Sequence, residues 1–167
     1  MTGLEEAVEK LKSGIGAENV LEVKHQPPRN VFVLIKPEKL KEAITYVMKE
    51  LGYQYIITIS GVDLIKENQF EVIYHLSDYS NTISLKIRIP RDEPKVPTIT
   101  DIIPGATLYE REVHDMFGIV AEGHPNLAKL LLSDGWPEDL HPLRKDVTIQ
   151  QIRERLEEER RKGVRGI

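Results

Sequence analysis

Cysteine is absent from all 167 residues, which excludes disulfides, thiolate nucleophiles, Cys-type zinc sites and cysteine-ligated iron–sulfur clusters. Any metal or redox centre must rest on His and carboxylates alone, or belong to a partner. An excess of positive charge is missing too. The 23 basic and 27 acidic residues leave a formal net charge of -4, the wrong sign for a chain that neutralises many phosphates, so nucleic-acid binding is set aside. No apolar stretch approaches the ~20 residues that span a bilayer. Met1 to Lys10 carry Glu5, Glu6 and Glu9 and no apolar run, unlike a signal or transit peptide. The expectation is a soluble, cytoplasmic chain that can still be the peripheral part of a membrane assembly. Asn and Gln are scarce, five of each, while 30% of the residues are charged, a bias found in proteins from hot environments. Gly-x-Ser-x-Gly, Gly-x-Gly-x-x-Gly and Walker-type Gly-Lys-Ser/Thr motifs are all absent, so a serine nucleophile elbow and the usual phosphate cradles are unsupported.

What is present is strongly periodic up to residue 90. Thr2 and Glu5 make a capping box, and Leu4, Ala7, Val8, Leu11 and Ile15 recur at helical spacing, predicting a helix from about 3 to 13. Val20–Val23 and Val31–Ile35 flank Pro27-Pro28-Arg29-Asn30, a hairpin pattern. Pro37 opens a second helix whose Leu40, Ala43, Ile44, Val47, Met48 and Leu51 trace one apolar face before Gly52. Three strand runs follow. Tyr55–Ile65 is mostly apolar, whereas Phe70, Val72, Tyr74 and Leu76, then Ile83, Leu85, Ile87 and Ile89, alternate with polar residues. The order α-β-β-α-β-β-β reads as an α+β fold in two layers, helices on one face of a mixed or antiparallel sheet.

Composition then changes. Pro90, Pro94, Pro97 and Pro104 stiffen an extended connection, which sets the expected division into an α+β domain, 1–103, and a C-terminal part, 104–167. That part begins with a helix at Ala106–Phe117. It continues through residues 118–147, aperiodic apart from a possible turn of helix at Leu127–Leu132. Leu127, Leu130, Leu131, Leu132, Trp136 and Leu140 make this stretch too apolar to prefer water, so it reads as a functional loop or a segment ordered on something else rather than as simple disorder. A last helix is announced by a Thr148/Gln151 capping box and closed by Gly163. Its apolar stripe is only Ile149, Ile152 and Leu156, and Arg153/Glu157, Arg155/Glu159, Glu157/Arg161 and Glu158/Lys162 are spaced to pair. This extended arm ending in a helix completes the predicted fold.

The densest ionisable set is Glu110-Arg111-Glu112-Val113-His114-Asp115. On a helical wheel Tyr109, Val113, Met116, Phe117 and Val120 share a stripe, Glu110 and Glu112 flank it, and Arg111 points away with Asp115 beside it. This is either a charged docking surface or an ordinary amphipathic helix with local ion pairs, and spacing alone favours the ordinary helix. His114, His124 and His141 with Glu110 or Asp115 could supply ligands to zinc or non-haem iron, the chemistry of a small metallohydrolase. No His-Glu-x-x-His or comparable ligand spacing accompanies them.

Three blocks taken together are more specific: Glu110–Phe117, then Gly123-His124-Pro125-Asn126-Leu127, then His141-Pro142-Leu143-Arg144-Lys145-Asp146. In this order and separation they resemble the thirty-kilodalton subunit of NADH:quinone oxidoreductases, the respiratory complex I family, and its counterparts in membrane-bound energy-converting NiFe hydrogenases. The resemblance is specific over residues 110–146. His114 stands where that family commonly has an aromatic residue, and Ala128 where it has a basic one. The brief tail looks more like the compact hydrogenase-type versions than the longer respiratory ones.

The resemblance implies a cofactor-free, non-catalytic scaffold subunit on the cytoplasmic side of the cell membrane. It would hold a large catalytic-type subunit and an iron–sulfur subunit of the same complex. By the same resemblance the partner contacts would come from Glu110, Arg111, Glu112, Asp115, His124, His141, Arg144, Lys145 and Asp146, with Leu130, Leu131 and Trp136 as apolar anchors.

Overall fold

The computed structural model describes residues 3–164 and 166; the Thr2 half of the first expected capping box lies outside them. The expected order is met. Helix α1 (Gly3–Ile15) is followed by strands β1 (Val20–Gln26) and β2 (Asn30–Ile35), helix α2 (Leu40–Lys49), and strands β3 (Tyr55–Leu64), β4 (Gln69–Ser77) and β5 (Thr82–Pro90). A single 3₁₀ turn, Pro37–Lys39, precedes α2, so Pro37 opens that turn and the α-helix proper begins at Leu40. The sheet order is β1-β2-β5-β4-β3, all neighbours antiparallel except β2 and β5, which run parallel with Val31 opposite Ile83 and Val33 opposite Leu85.

Alternation decides the layers. Phe70, Val72, Tyr74 and Leu76 on β4 and Ile83, Leu85, Ile87 and Ile89 on β5 are buried beneath the helices, together with Val31, Val33 and Ile35 of β2. Leu4, Ala7, Val8 and Leu11 of α1, and Leu40, Ala43, Ile44 and Val47 of α2, close the core from above. Burying each such side chain stabilises the fold by about 1.5–3 kcal/mol. The opposite face is polar at its centre: Glu71 pairs with Lys86 at 2.8 Å and Arg88 at 3.0 Å, and His75 meets Ser84 at 2.8 Å.

Beyond β5 the chain forms β6 (Lys95–Pro97), helix α3 (Ala106–Phe117), β7 (Val120–Glu122) and helix α4 (Ile149–Arg161). The parallel β6–β7 pair, Val96 opposite Ala121, was not legible in the sequence, because three-residue strands carry no period. Helix α3 packs against β3, where Gly61 leaves room: a Cβ there would lie 2.6 Å from the Phe117 ring. Phe117 meets Phe70 edge-on at 6.0 Å, so one core continues across residue 103.

Two expectations in the arm need correction. Leu127–Leu132 contains no helical turn, because the Leu130, Leu131 and Leu132 amides bond to a side chain of α3 and the Ala128 amide to Asn126. Of the four ion pairs expected along α4, only Glu157/Arg161 forms among the described residues, at 3.7 Å. Arg155 instead reaches Asp139 at 2.9 Å and Lys162 takes Glu159 at 2.7 Å, partners that a solvated terminal helix finds nearer. The Thr148/Gln151 capping box is present in full.

Candidate functional site

Helix α3 has two buried sides rather than one. Ala106, Glu110, Val113 and Phe117 form the stripe that faces the domain, and Asp115 is buried on another side with only 2% of its surface exposed. This corrects the expected exposure: Asp115 and Arg111 share the face opposite that stripe, as expected, but the face is covered. The reason is that the arm folds back over α3 and makes a second interior. Glu110 accepts hydrogen bonds from the Ile99 amide at 2.7 Å and the Thr98 hydroxyl at 2.6 Å, fixing the connection that follows β6.

Arg111 and Asp115 act on the arm's backbone. The Arg111 guanidinium donates to the Ala128 and Lys129 carbonyls at 2.7 and 2.6 Å. Asp115 Oδ2 accepts from the Leu130, Leu131 and Leu132 amides at 2.9, 2.7 and 3.2 Å. A cation thus takes two carbonyls, and an anion one turn along takes the next three amides. With its backbone held inward, the leucine run turns Leu131 outward, 60% exposed. Lys129 closes the following loop by donating to the Trp136 carbonyl at 2.7 Å and to Glu138 at 2.6 Å. The half-buried Trp136 donates its indole N–H to Leu140 O at 2.7 Å.

The His141–Asp146 block treats the end of α3 in a similar way. A helix leaves its last carbonyls without intrahelical donors, and here the arm supplies them. His141 Nδ1–H donates to Asp115 O at 3.1 Å, the Leu143 amide to Met116 O at 3.1 Å, and Arg144 Nε to Phe117 O at 2.7 Å. Gly118 makes the approach possible. It turns the chain at φ 74, and a Cβ there would strike the His141 ring and lie 2.6 Å from Arg144. Gly118→Ala should therefore cost about 2 kcal/mol or more, combining left-handed strain with that collision. Urea unfolding of the variant reads the loss, and an unchanged midpoint would contradict it.

The block is anchored to the sheet by an ion-pair cluster. Arg91 donates Nε and Nη2 to the two oxygens of Asp63, both at 2.9 Å, and Nη2 to Asp146 at 2.6 Å, while the Lys145 amide donates to Asp63 at 2.8 Å. Burial pushes the Asp63 carboxyl up, but the Arg91 hydrogen bonds, the Lys145 amide and the Arg91 charge outweigh it and hold it below the ordinary range. The Arg91 hydrogen bond lowers Asp146 as well. Asp63, Arg91 and Lys129 were not among the residues singled out from the sequence. Asp63 meets a residue 82 positions away, a separation no local pattern reveals.

The histidines are structural. His124 Nε2–H donates to Thr107 O at 3.2 Å while its Nδ1 accepts from the Asn126 amide at 3.0 Å, so both ring nitrogens are occupied. His114 Nδ1–H donates to Ile119 O at 3.1 Å. No group of three or more His or carboxylate side chains among the described residues could hold a metal ion, and the metallohydrolase reading has no support. Of the remaining candidates, Glu112, Leu131 and Lys145 are exposed and Leu130 is half-buried. The block does not place a nucleophile beside a base. It is a set of clamps that shapes a surface.

Residues 33–153 match a protein family described as the respiratory-chain NADH dehydrogenase 30 Kd subunit. Among curated relatives, a subunit of the NADH-quinone oxidoreductase of Roseiflexus castenholzii is 40% identical over 125 residues, 72% of this chain and 71% of the relative. A subunit of the F(420)H(2) dehydrogenase of Methanosarcina mazei is 31% identical over 131 residues, 77% and 82% of the two chains. A chain of the membrane-bound sulfane sulfur reductase, an archaeal respiratory membrane complex, superposes with a TM-score of 0.77 at 30% identity, covering 92% of this chain and 91% of that one. The trypsin-resistant fragment of Nqo5 superposes with a TM-score of 0.63 at 28% identity, covering 75% of this chain and 99% of the fragment.

Proposed function

Since the chain belongs to the respiratory-chain NADH dehydrogenase 30 Kd subunit family, and is thereby a subunit of a complex I-like or membrane-bound energy-converting oxidoreductase complex, we propose that it is the scaffold between two other subunits. One is a large catalytic-type subunit and the other an iron–sulfur subunit, in a peripheral arm on the cytoplasmic side of the membrane. No helix among the described residues is long and apolar enough to cross a membrane, so attachment would run through those partners.

The observation that carries the reading is the pair of clamps on the arm. Arg111 and Asp115 hold residues 128–132 by the backbone, and this frees side chains for a neighbour. The assigned roles therefore divide. Glu110, Arg111, Asp115, His124, His141 and Asp146 shape the surface from within. Leu130, Leu131 and Trp136, together with Glu112, Arg144 and Lys145, are the groups offered to a partner. Residues 1–103 then serve as the platform and 104–167 as the docking arm, a division of role within one continuous core. Of the complex types, the energy-converting, hydrogenase-like form is the finer proposal and rests on the family resemblance; the archaeal sulfane sulfur reductase complex, one chain of which matches 92% of this one, supports the coarser reading of a membrane-bound respiratory complex.

The test is affinity purification of the tagged full chain from its host under mild detergent. A large subunit and an iron–sulfur subunit should be recovered together, nickel in the large subunit marking a hydrogenase and a flavin-bearing NADH-oxidising module a respiratory enzyme. Leu131→Asp should reduce that recovery severalfold with little change in the free chain's melting temperature. Recovery of the tagged chain alone would overturn the scaffold reading.

A further inference from the structure

The cluster under the arm pairs one of its two guanidiniums directly and leaves the other without an acid in contact. Arg91 engages both nearby carboxylates, Asp63 and Asp146. Arg144 lies 5.3 Å over the Phe70 ring, which Arg91 also overhangs at 5.3 Å. Its Nε is committed to Phe117 O, and among the described residues no carboxylate lies within ion-pair distance of it. Lys145 beside it is exposed and equally without an acid. Both carboxylates of the cluster are thus spent on Arg91, and Lys145 adds an exposed cation beside Arg144, in a chain whose overall charge is -4. Burial, then the Arg91 charge, depress the Arg144 pKa from its ordinary value, and the Asp146 and Asp63 charges at longer range offset this only in part, as for a guanidinium partly stripped of water with no carboxylate in contact. Next to it Leu143 is 54% exposed.

We infer that a carboxylate side chain of a neighbouring subunit docks on the outer fork of Arg144, with Lys145 beside it and Leu143 covered by apolar surface around that acid. This rests on the scaffold reading above. One guanidinium without an acid in contact matches one carboxylate, and a planar fork pairs with it bidentately. The exposed leucine distinguishes a protein surface from a free phosphate, which would cover no apolar area.

The experiment uses the assembled complex. With Arg144→Lys, carbodiimide should form an amide between position 144 and an Asp or Glu of another subunit; in the wild type Lys145 should give a link to the same region. Arg144→Gln should weaken association of the full chain about thirtyfold or more, while its circular dichroism stays that of the wild type. Links only to this chain's Asp63 or Asp146, or undiminished association of Arg144→Gln, would overturn the inference. So would absence of any link together with protection of Arg144 by millimolar inorganic phosphate, which would mark a phosphate site. If the tagged wild type recovers no other subunit, the scaffold reading falls first and this inference with it.

Discussion

Arg91→Met should destabilise the chain by about 3–5 kcal/mol, lowering the melting temperature by roughly 10 °C for a chain of this size. The cost is what remains behind. Asp63 is 2% exposed and keeps only the Lys145 amide as a donor once the guanidinium is gone, so an ionised carboxylate sits in the interior without a cation. Asp146 is released at the same time, and the His141–Asp146 block loses its tie to the sheet. The pH dependence has a definite sign. In the wild type the Asp63 and Asp146 carboxyls are held below their unfolded values, so their contribution is fully present above about pH 4 and is lost as pH falls through the lowered folded values. In Arg91→Met, burial is left to push Asp63 upward, so the difference from wild type should be greatest near neutrality and shrink toward pH 3. Denaturant titrations at pH 7 and pH 3.5 measure both. A gap that widens in acid would contradict the assignment. The double variant Asp63→Leu with Arg91→Met should be less damaged than the two single losses combined, because no buried charge is left unpaired.

How much of this was legible in advance depended on where each residue's partner lies. The alternation of Phe70, Val72, Tyr74 and Leu76 placed β4 and its buried face correctly, because a strand's own residues report which side meets the core. The Thr148/Gln151 box placed the start of α4 for a comparable reason: donor and acceptor are three residues apart. Helix α3 was placed with correct ends and with Val113 and Phe117 correctly inward, but its opposite side was expected to be open, since periodicity assumes a single buried side. Asp115 appeared polar and therefore outward, yet its interior is made by Leu130–Leu132, fifteen to seventeen residues downstream. The arm was expected to be ordered on something else. That expectation missed that two charged residues of α3 already order it, and only its outward side chains are left for a neighbour.

Asp115→Ala should release the stretch that Asp115 holds. Three consecutive amides converge on Oδ2, and bonds to a charged acceptor are worth about 1.5–3 kcal/mol each, though three donors on one oxygen do not add. A loss of about 3 kcal/mol is expected in the free chain. Asp115→Asn should cost less than Ala, because Oδ1 is buried and takes no hydrogen bond from any described residue, so an amide nitrogen can occupy that position while the remaining oxygen still accepts. Hydrogen exchange gives the sharpest reading. The Leu130, Leu131 and Leu132 amides should lose protection together in Asp115→Ala, while the Val72 and Leu85 amides at the centre of the sheet exchange as before. The consequence for assembly follows from the same geometry. With its backbone loosened, the leucine run must be reordered when a partner binds, so association should weaken even though no outward side chain has changed. Unaltered exchange at those three amides would show that the arm is held by its leucines alone, and that Asp115 is no clamp.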